Sequence, residues 1–167
     1  MEIATRDLLL RTVTEDDLAE VARMWAFEKG AISLQDAQQA IQYMHENHEK
    51  NALGYIYHLC LAVYEADQNQ IIGWCGLDGK EAGFLHIFYL IDRACRGRGY
   101  ATQCGEALLA HAFGTVGVPF VNGGCDKDNS ASARVLEKIG MRRAGSAENG
   151  DPLFILEQGS WHPDKIK

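Results

Sequence analysis

The chain has 167 residues, with 47% hydrophobic residues, 23% charged residues, 17 glycines and only 3 prolines, which excludes collagen-like and disordered compositions and indicates a globular protein. Its formal net charge of −7 lies in the first half, because residues 1–80 contain 6 Lys and Arg against 13 Asp and Glu, whereas residues 81–167 contain 10 of each. A non-specific polyanion or nucleic-acid binder is therefore not expected, although the balanced second half can still hold a local anion site.

Hydrophobic periodicity and turn signals predict six strands and four helices along the chain. The strands are expected at residues 8–14, 57–65, 71–77, 84–91, 120–125 and 153–157. The helices are expected at residues 15–29, 34–51, 99–113 and 130–139, and a hairpin loop at residues 67–70. Strand 84–91 is apolar on both faces, which is typical of a strand in the middle of a sheet. The pattern predicts a single α/β domain (α+β with a mixed sheet) over residues 1–167, with its core at about 7–157.

The cysteines and the apolar segments indicate a cytoplasmic protein. Five cysteines form no Cys-x-x-Cys pair, so neither a zinc ribbon nor a full disulfide framework is expected, and a reducing compartment fits best. The longest apolar stretch, residues 84–91, is far shorter than the ~18 residues that span a bilayer. The first 17 residues lack the basic and then apolar order of a signal peptide. We expect no membrane attachment.

A glycine-rich turn between the central strand and the third helix predicts an anion site. Gly97 and Gly99 allow the backbone to approach a ligand closely, and the start of the helix directs unpaired N–H groups and the positive end of its dipole at that ligand. Arg96 and Arg98 add positive charge, so the turn is predicted to hold a pyrophosphate. The plainer alternative is a strand-to-helix turn with solvated arginines.

Two common nucleotide-binding motifs do not fit this turn. A dinucleotide fingerprint needs Gly or Ala where Thr102 stands, and an acid near residues 117–119, which are Gly-Val-Pro. A P-loop needs a Gly-Lys-Ser/Thr ending that the chain lacks.

Three motifs instead resemble a known family. Arg96, Gly99 and Ala101 form Arg-x-x-Gly-x-Ala, residues 128–141 read Asp-Asn-Ser-Ala-Ser-Ala-Arg-Val-Leu-Glu-Lys-Ile-Gly-Met, and residues 8–18 combine Leu-Leu-Leu-Arg with Thr-Glu-Asp-Asp-Leu. Together they resemble the GNAT superfamily of acyl-CoA-dependent N-acetyltransferases, in particular its ribosomal-protein-alanine acetyltransferase-like branch. The resemblance extends from about residue 7 to residue 157.

The resemblance implies a GNAT-like fold, with a central sheet of splayed strands flanked by about four helices. It implies that strand 84–91 splays from strand 120–125, and that the pantetheine arm of acetyl-CoA, the co-substrate, lies in the opening and meets Asn129. The arm would pair with the backbone of Tyr89, Leu90 and Ile91. The pyrophosphate would lie on Arg96, Gly97, Arg98, Gly99, Tyr100, Ala101 and Thr102.

The same resemblance implies direct attack of a primary amine on acetyl-CoA in a ternary complex. Many family members place a tyrosine seven residues after the asparagine, where this chain has Leu136, and the ribosomal-protein branch has a serine that corresponds to Ser132. We therefore expect Ser132 to hydrogen-bond or protonate the thiolate, the alternative being that it only fills the first turn of its helix.

The general base is less defined by the sequence. His86 on the central strand is the candidate, although a lone histidine on an apolar face is more often a core residue. Asp126, Glu28, His58 and a water chain are the alternatives. His45 and His48 provide too few ligands for a metal site, so no metal is expected.

The leading hypothesis is an N-acetyltransferase that acts as a monomer or a homodimer on an amine, either a small molecule or a protein N-terminus. One alternative is a non-catalytic acyl-CoA-binding sensor or scaffold, since the usual tyrosine is missing. Another is an interaction domain whose acidic first half binds a basic partner.

Overall fold

The computed structural model describes residues 1–26, 29–66 and 68–162, which form eight strands and four α-helices. The strands are β1 (Glu2–Ala4), β2 (Leu8–Arg11), β3 (His58–Glu65), β4 (Ile71–Asp78), β5 (His86–Ile91), β6 (Phe120–Gly124), β7 (Arg142–Ser146) and β8 (Pro152–Glu157). The helices are α1 (Leu18–Met24), α2 (Leu34–His48), α3 (Tyr100–Ala110) and α4 (Ser130–Lys138). None of these helices combines the length and the apolar character needed to cross a bilayer.

All eight strands form one mixed sheet in the order β1-β2-β3-β4-β5-β6-β8-β7. The pairing is antiparallel throughout except between β5 and β6, which run parallel. β5 lies between β4 and β6, as its two apolar faces predict. The mixed α/β class is confirmed.

The helices cover the two faces of the sheet in pairs. On one face, Leu108 of α3 and Leu136 of α4 pack in a buried cluster with Ile87 of β5. On the other face, Val21 of α1 and Ile41 of α2 are buried together with residues of β3 and β4. The amphipathic spacing of each helix accounts for this burial.

The two parallel strands separate soon after they meet, as the resemblance implies. β5 and β6 share one register pair, His86 with Asn122. Asn122 fixes this point twice, because its backbone N–H donates to the Leu85 carbonyl (2.6 Å) and its side-chain oxygen accepts from the Leu85 N–H (3.1 Å). Peptide groups alternate sides along a strand, so those of Ile87, Tyr89 and Ile91 face the same side as Leu85, toward the opening.

Several predicted boundaries were wrong, each for a local reason. β1 and β7 were not predicted, because β1 has three residues and every residue of β7 is exposed, so neither shows a hydrophobic pattern. The helix predicted at 15–29 starts as a 3₁₀ turn at Glu15–Asp17 and its α-helical part ends at Met24. The Met24 carbonyl accepts a hydrogen bond from the Trp74 indole N–H (3.0 Å), and the Ala22 carbonyl accepts one from the Ile32 N–H (2.8 Å). Residues 27, 28 and 67 lie outside the described residues.

The third helix also ends earlier than predicted. α3 stops at Ala110 and continues as a π-helical segment, His111–Val116, which closes at Gly117 in the left-handed conformation. The strand predicted at 84–91 begins only at His86.

Candidate active site

A cleft of about 460 Å³ lies between the end of β5, the following turn and α4. Most of the residues expected to bind acetyl-CoA line it, and Ser132 does so as well. These are Tyr89, Leu90, Ile91, Arg96, Gly97, Gly99, Tyr100, Ala101, Thr102, Asn129 and Ser132. Arg98 and His86 are not among the residues that line the cleft.

The turn after β5 is shaped by its own sequence. Asp92 caps a 3₁₀ turn by accepting from the Ala94 N–H (2.9 Å), and the Arg96 side chain reaches back to the Ile91 carbonyl (2.9 Å). Gly97 and Gly99 both have φ = +80°, a conformation that glycine adopts without strain. α3 begins directly after Gly99, so the first N–H groups of the helix, which have no partner within it, start at the cleft.

Arg98 points away from this cleft. Its guanidinium pairs with Glu65 at the end of β3 (2.9 Å), and the Tyr100 hydroxyl donates to the same carboxylate (2.8 Å). Only its backbone amide remains at the turn.

The opposite wall is built by the start of α4. Asn129 is the N-cap of this helix, and its side-chain oxygen accepts from the Ser132 N–H (3.0 Å). The Tyr89 hydroxyl, arriving from β5, lies 3.1 Å from the Ser132 carbonyl oxygen and 3.2 Å from Ser132 Oγ. Burial raises the pKa of Tyr89 to about 12, so the phenol is protonated at neutral pH.

Two further cations line the cleft that the sequence interpretation missed. Arg134 and Lys138 stand on the wall formed by α4, facing the turn after β5. They are four residues apart, so they share one helix face, and this spacing after Asn129 was the available signal. With Arg96, the cleft carries three basic side chains.

His86 lies at the closed end of the opening, on the face of the sheet covered by α1 and α2. Its Cα pairs with Asp78 of β4 on one side and Asn122 on the other, and its ring stacks on Phe84 (centroids 6.0 Å apart). A Cβ added to Gly124 would lie 3.7 Å from the His86 ring, so the ring reaches toward β6. Burial lowers the pKa of His86, and Asp78 opposes this effect, so the ring is neutral at pH 7.

The other candidate bases have different surroundings. His58 of β3 pairs with Asp78 of β4. It is 8% exposed, and its Nδ1 lies 3.6 Å from the Asp78 carboxylate. Asp126 accepts from the Asp128 N–H (2.8 Å) in the loop before α4. Glu28 lies outside the described residues. Within the described ranges, no three metal-ligating side chains form a group.

The cleft fits a ligand with a polyphosphate end and an extended arm. The glycine turn and the start of α3 offer backbone donors, three basic side chains surround them, and the peptide groups of Tyr89 and Ile91 face the opening where an arm can lie.

The chain is similar to known proteins in sequence and in fold. The model of the acetyltransferase (GNAT) domain matches residues 7–142. The Bacillus subtilis protein YkkB is 27% identical over 133 residues, covering 77% of this chain and 76% of its own. The fold is similar to that of the ribosomal-protein-S5-alanine acetyltransferase of Vibrio fischeri (TM-score 0.81, 17% identity, 98% and 100% of the two chains). It is also similar to RimL, a ribosomal L7/L12 α-N-protein acetyltransferase in complex with coenzyme A and with a CoA–cysteine disulfide (TM-score 0.70, 17% identity, 94% and 98%).

The match to the family model shows the class of protein, an acyltransferase. The chain belongs to the GNAT acetyltransferase family, since the family model covers most of its length.

Proposed function

We propose that the chain is an acetyl-CoA-dependent N-acetyltransferase that transfers the acetyl group to a primary amine by direct attack in a ternary complex. The observation that carries the proposal is the alignment, along one cleft, of a backbone anion site, an opening in the sheet and a pair of partly buried hydroxyl groups, those of Tyr89 and Ser132. Acetyl-CoA, when bound, supplies an already activated acyl group, so no covalent enzyme intermediate is needed.

Different residues bind different parts of acetyl-CoA. The amides from Gly97 to Thr102 hold the pyrophosphate, with charge from Arg96, Arg134 and Lys138. Asn129 contacts the pantetheine arm, which lies along the backbone near Tyr89, Leu90 and Ile91. Of these three, Tyr89 and Ile91 turn their peptide groups to the opening, and Leu90 contributes its side chain, which is 49% exposed.

The reacting groups are placed on both sides of the opening. The Tyr89 N–H polarises the thioester carbonyl, which lowers the cost of the charge that develops on its oxygen. The Ser132 hydroxyl donates to the departing sulfur. His86, held neutral by burial, takes the proton that the attacking nitrogen loses.

The acceptor proposed first is a protein N-terminus, because the solved relatives named above act on ribosomal proteins by their titles. Small primary amines form the second class. We place the reaction in the cytoplasm, which the five free cysteines support, and expect a monomer or a homodimer, to be measured by light scattering.

The test combines binding with turnover. Binding of acetyl-CoA is measured by calorimetry, and thiol release and acetylated product are measured with a panel of N-terminal peptides, amino acids, polyamines and aminoglycosides. We expect micromolar-range binding and amine-dependent thiol release that Ser132→Ala reduces without loss of acetyl-CoA affinity.

Two results would contradict the proposal. If acetyl-CoA does not bind, the cleft has another ligand. If it binds tightly but no amine releases thiol above background, the chain is a non-catalytic acyl-CoA sensor or scaffold, the alternative that Leu136 in place of the usual tyrosine suggests.

A further inference from the structure

Tyr89 of β5 contacts Ser132 of α4, the residue proposed to donate a hydrogen bond to the coenzyme sulfur. The Tyr89 hydroxyl is within hydrogen-bonding distance of two atoms of Ser132, the carbonyl oxygen (3.1 Å) and Oγ (3.2 Å). The ring packs against the core shared by α3 and α4. Position 136 offers no hydroxyl, because it is a leucine, which is 1% exposed and packs over Gly123.

The Tyr89 hydroxyl proton can be donated to either of two Ser132 acceptors, so the Tyr89–Ser132 pair has two hydrogen-bonding arrangements. When Tyr89 donates to the Ser132 carbonyl, Ser132 Oγ can donate its own proton back to the phenol oxygen. When Tyr89 donates to Ser132 Oγ, the serine proton is free to point into the cleft. The heavy atoms need not move, because both distances are already suitable for a hydrogen bond.

We propose that Tyr89 is a positioning residue for acyl transfer, whose hydroxyl donates to Ser132 Oγ and thereby turns the Ser132 proton toward the coenzyme sulfur. This inference rests on the proposed function. As negative charge develops on the sulfur, the second arrangement becomes favourable, because two aligned hydroxyl dipoles then face that charge.

Tyr89 donates a hydrogen bond and keeps its proton. Its pKa of about 12 lies above the ~8.5 of an ordinary thiol, so transfer of the proton to a thiolate is uphill. The C–S bond breaks with its electron pair on sulfur, the new N–C bond forms, and the proton lost by the nitrogen goes to His86. The two hydroxyl groups stabilise the thiolate without any net change of their own.

A measurement that needs no acceptor tests this arrangement. The pKa of the CoA thiol bound to the protein is obtained from the ultraviolet absorbance of the thiolate during a pH titration. Subtracting the same titration with desulfo-CoA, which lacks the sulfur, removes the signals of the protein's own cysteines and tyrosines.

Three variants separate positioning from structure. Ser132→Ala should lower the ionisation constant of the bound thiol about tenfold, as expected for the loss of a hydrogen bond to a charged group. Tyr89→Phe should lower it about threefold, and the double variant should match Ser132→Ala alone, because Tyr89 acts through Ser132. In turnover, Tyr89→Phe should lower kcat severalfold and leave KM for acetyl-CoA within about twofold.

Tyr64→Phe is the matched control. It also removes a hydroxyl that donates a buried hydrogen bond, to Asp17 (3.0 Å), but on the other face of the sheet. We expect a lower unfolding temperature, with an unchanged ionisation constant of the bound thiol.

The outcomes are distinct. Wild-type protein that does not bind CoA overturns this inference and the proposed function together. Intact CoA binding with the same thiol pKa in Tyr89→Phe and wild type overturns the inference alone, as does a full Tyr89→Phe effect in the Ser132→Ala background. Should Tyr89→Phe fail to fold, 3-fluorotyrosine at position 89, a stronger donor, is expected to raise the ionisation constant, and no change contradicts the proposal.

Discussion

Arg98 and Arg134 have roles that differ from those their sequence positions suggest. Arg98 stands inside the glycine-rich turn, yet Glu65 holds its side chain away from the cleft. Arg134 lies far along the chain, but α4 places it on the cleft wall. A charge in a motif predicts where the backbone of that residue goes, whereas the direction of a long side chain depends on partners distant in sequence.

We predict that Arg134→Ala raises KM for acetyl-CoA about fivefold, equivalent to ~1 kcal/mol for a solvent-accessible charge pair, with little change in kcat. Steady-state kinetics at low salt measure the effect. Arg142→Ala is the control, since Arg142 on β7 is exposed and pairs with Glu157 of β8. Equal KM values for both variants would remove Arg134 from the binding site.

The pH dependence should report the state of His86. Its pKa is lowered by burial, so the rate should fall at a lower pH than an ordinary histidine would give, as the ring gains a proton and stops acting as a base. We predict that His86→Gln lowers kcat about a hundredfold and abolishes this acidic limb.

His111→Gln serves as the comparison for His86, because burial also lowers the pKa of His111, which lies in the π-helical segment. Its pH–rate profile should match that of wild type. An acidic limb that survives in His86→Gln would exclude His86 and favour His58 or water.

Helices and strands with a strong hydrophobic pattern are predicted from the sequence. Elements whose bounds depend on tertiary contacts are missed. The apolar run of β5 and the glycine turn after it are predicted from the sequence, and both line the cleft in the structure. The end of α1 is not predictable, because the Met24 carbonyl accepts a hydrogen bond from the Trp74 indole, which is 50 residues away in sequence. β7 is missed since it is exposed and its register is interrupted near Gly145.

The position of α4 depends on a close approach to β6. A Cβ on Gly123 would lie 2.9 Å from Leu136 Cδ2 and 3.2 Å from Met141 Cε. We predict that Gly123→Ala lowers the free energy of unfolding by about 1 kcal/mol, at the low end for overpacking because the added Cβ meets the ends of two side chains, and reduces activity because α4 carries Ser132 and is capped by Asn129.

Denaturant unfolding measures this change in stability, with Gly124→Ala as its matched control. A Cβ at Gly124 meets its nearest atom at 3.5 Å, an ordinary contact, so that variant should unfold near the wild-type midpoint. Equal midpoints for the two variants would show that α4 shifts without cost.

The acidic first half of the chain contributes α1 and α2, and the basic residues of the cleft come from the second half. We propose that these two helices lie beside the acceptor, as the family resemblance implies, so the negative field of the first half should attract a cationic amine. Acidic surface residues also serve solubility, and the two roles differ in their salt dependence.

We predict that a basic acceptor peptide has a lower KM than an acidic peptide of equal length, and that this advantage shrinks as salt is raised. The Debye length falls from ~30 Å at 0.01 M salt to ~8 Å at 0.15 M, which screens steering but leaves the chemistry intact. Equal KM values at low salt would argue for solubility alone.

The acid stability of the molecule should depend on Asp17. Burial acts to raise the pKa of this carboxyl, but hydrogen bonds from Arg11, the Thr14 backbone and Tyr64 outweigh it and lower the pKa to about 2. A carboxyl whose folded pKa is lowered stabilises the fold above its unfolded pKa of ~3.9, and this contribution is lost as the pH falls through about 2.

We therefore predict that the free energy of unfolding declines between about pH 4 and pH 2, and that Asp17→Asn is less stable at pH 7 by ~3 kcal/mol with a flatter acid profile. Thermal unfolding across this range measures it. Asp16→Asn, an exposed neighbour, should retain the wild-type profile. The same slope in Asp17→Asn would assign the acid sensitivity elsewhere.

Because β5 and β6 separate, each of these strands has an unpaired edge although it lies inside the sheet. The outer edges of the sheet are protected, since β1 is only three residues long and β7 carries exposed arginines. The strands beside the opening cannot use either device, because the proposed ligand enters there. Protein with an empty opening is therefore the form most exposed to strand pairing between molecules, and CoA added during expression and storage should suppress aggregation as well as raise the unfolding temperature.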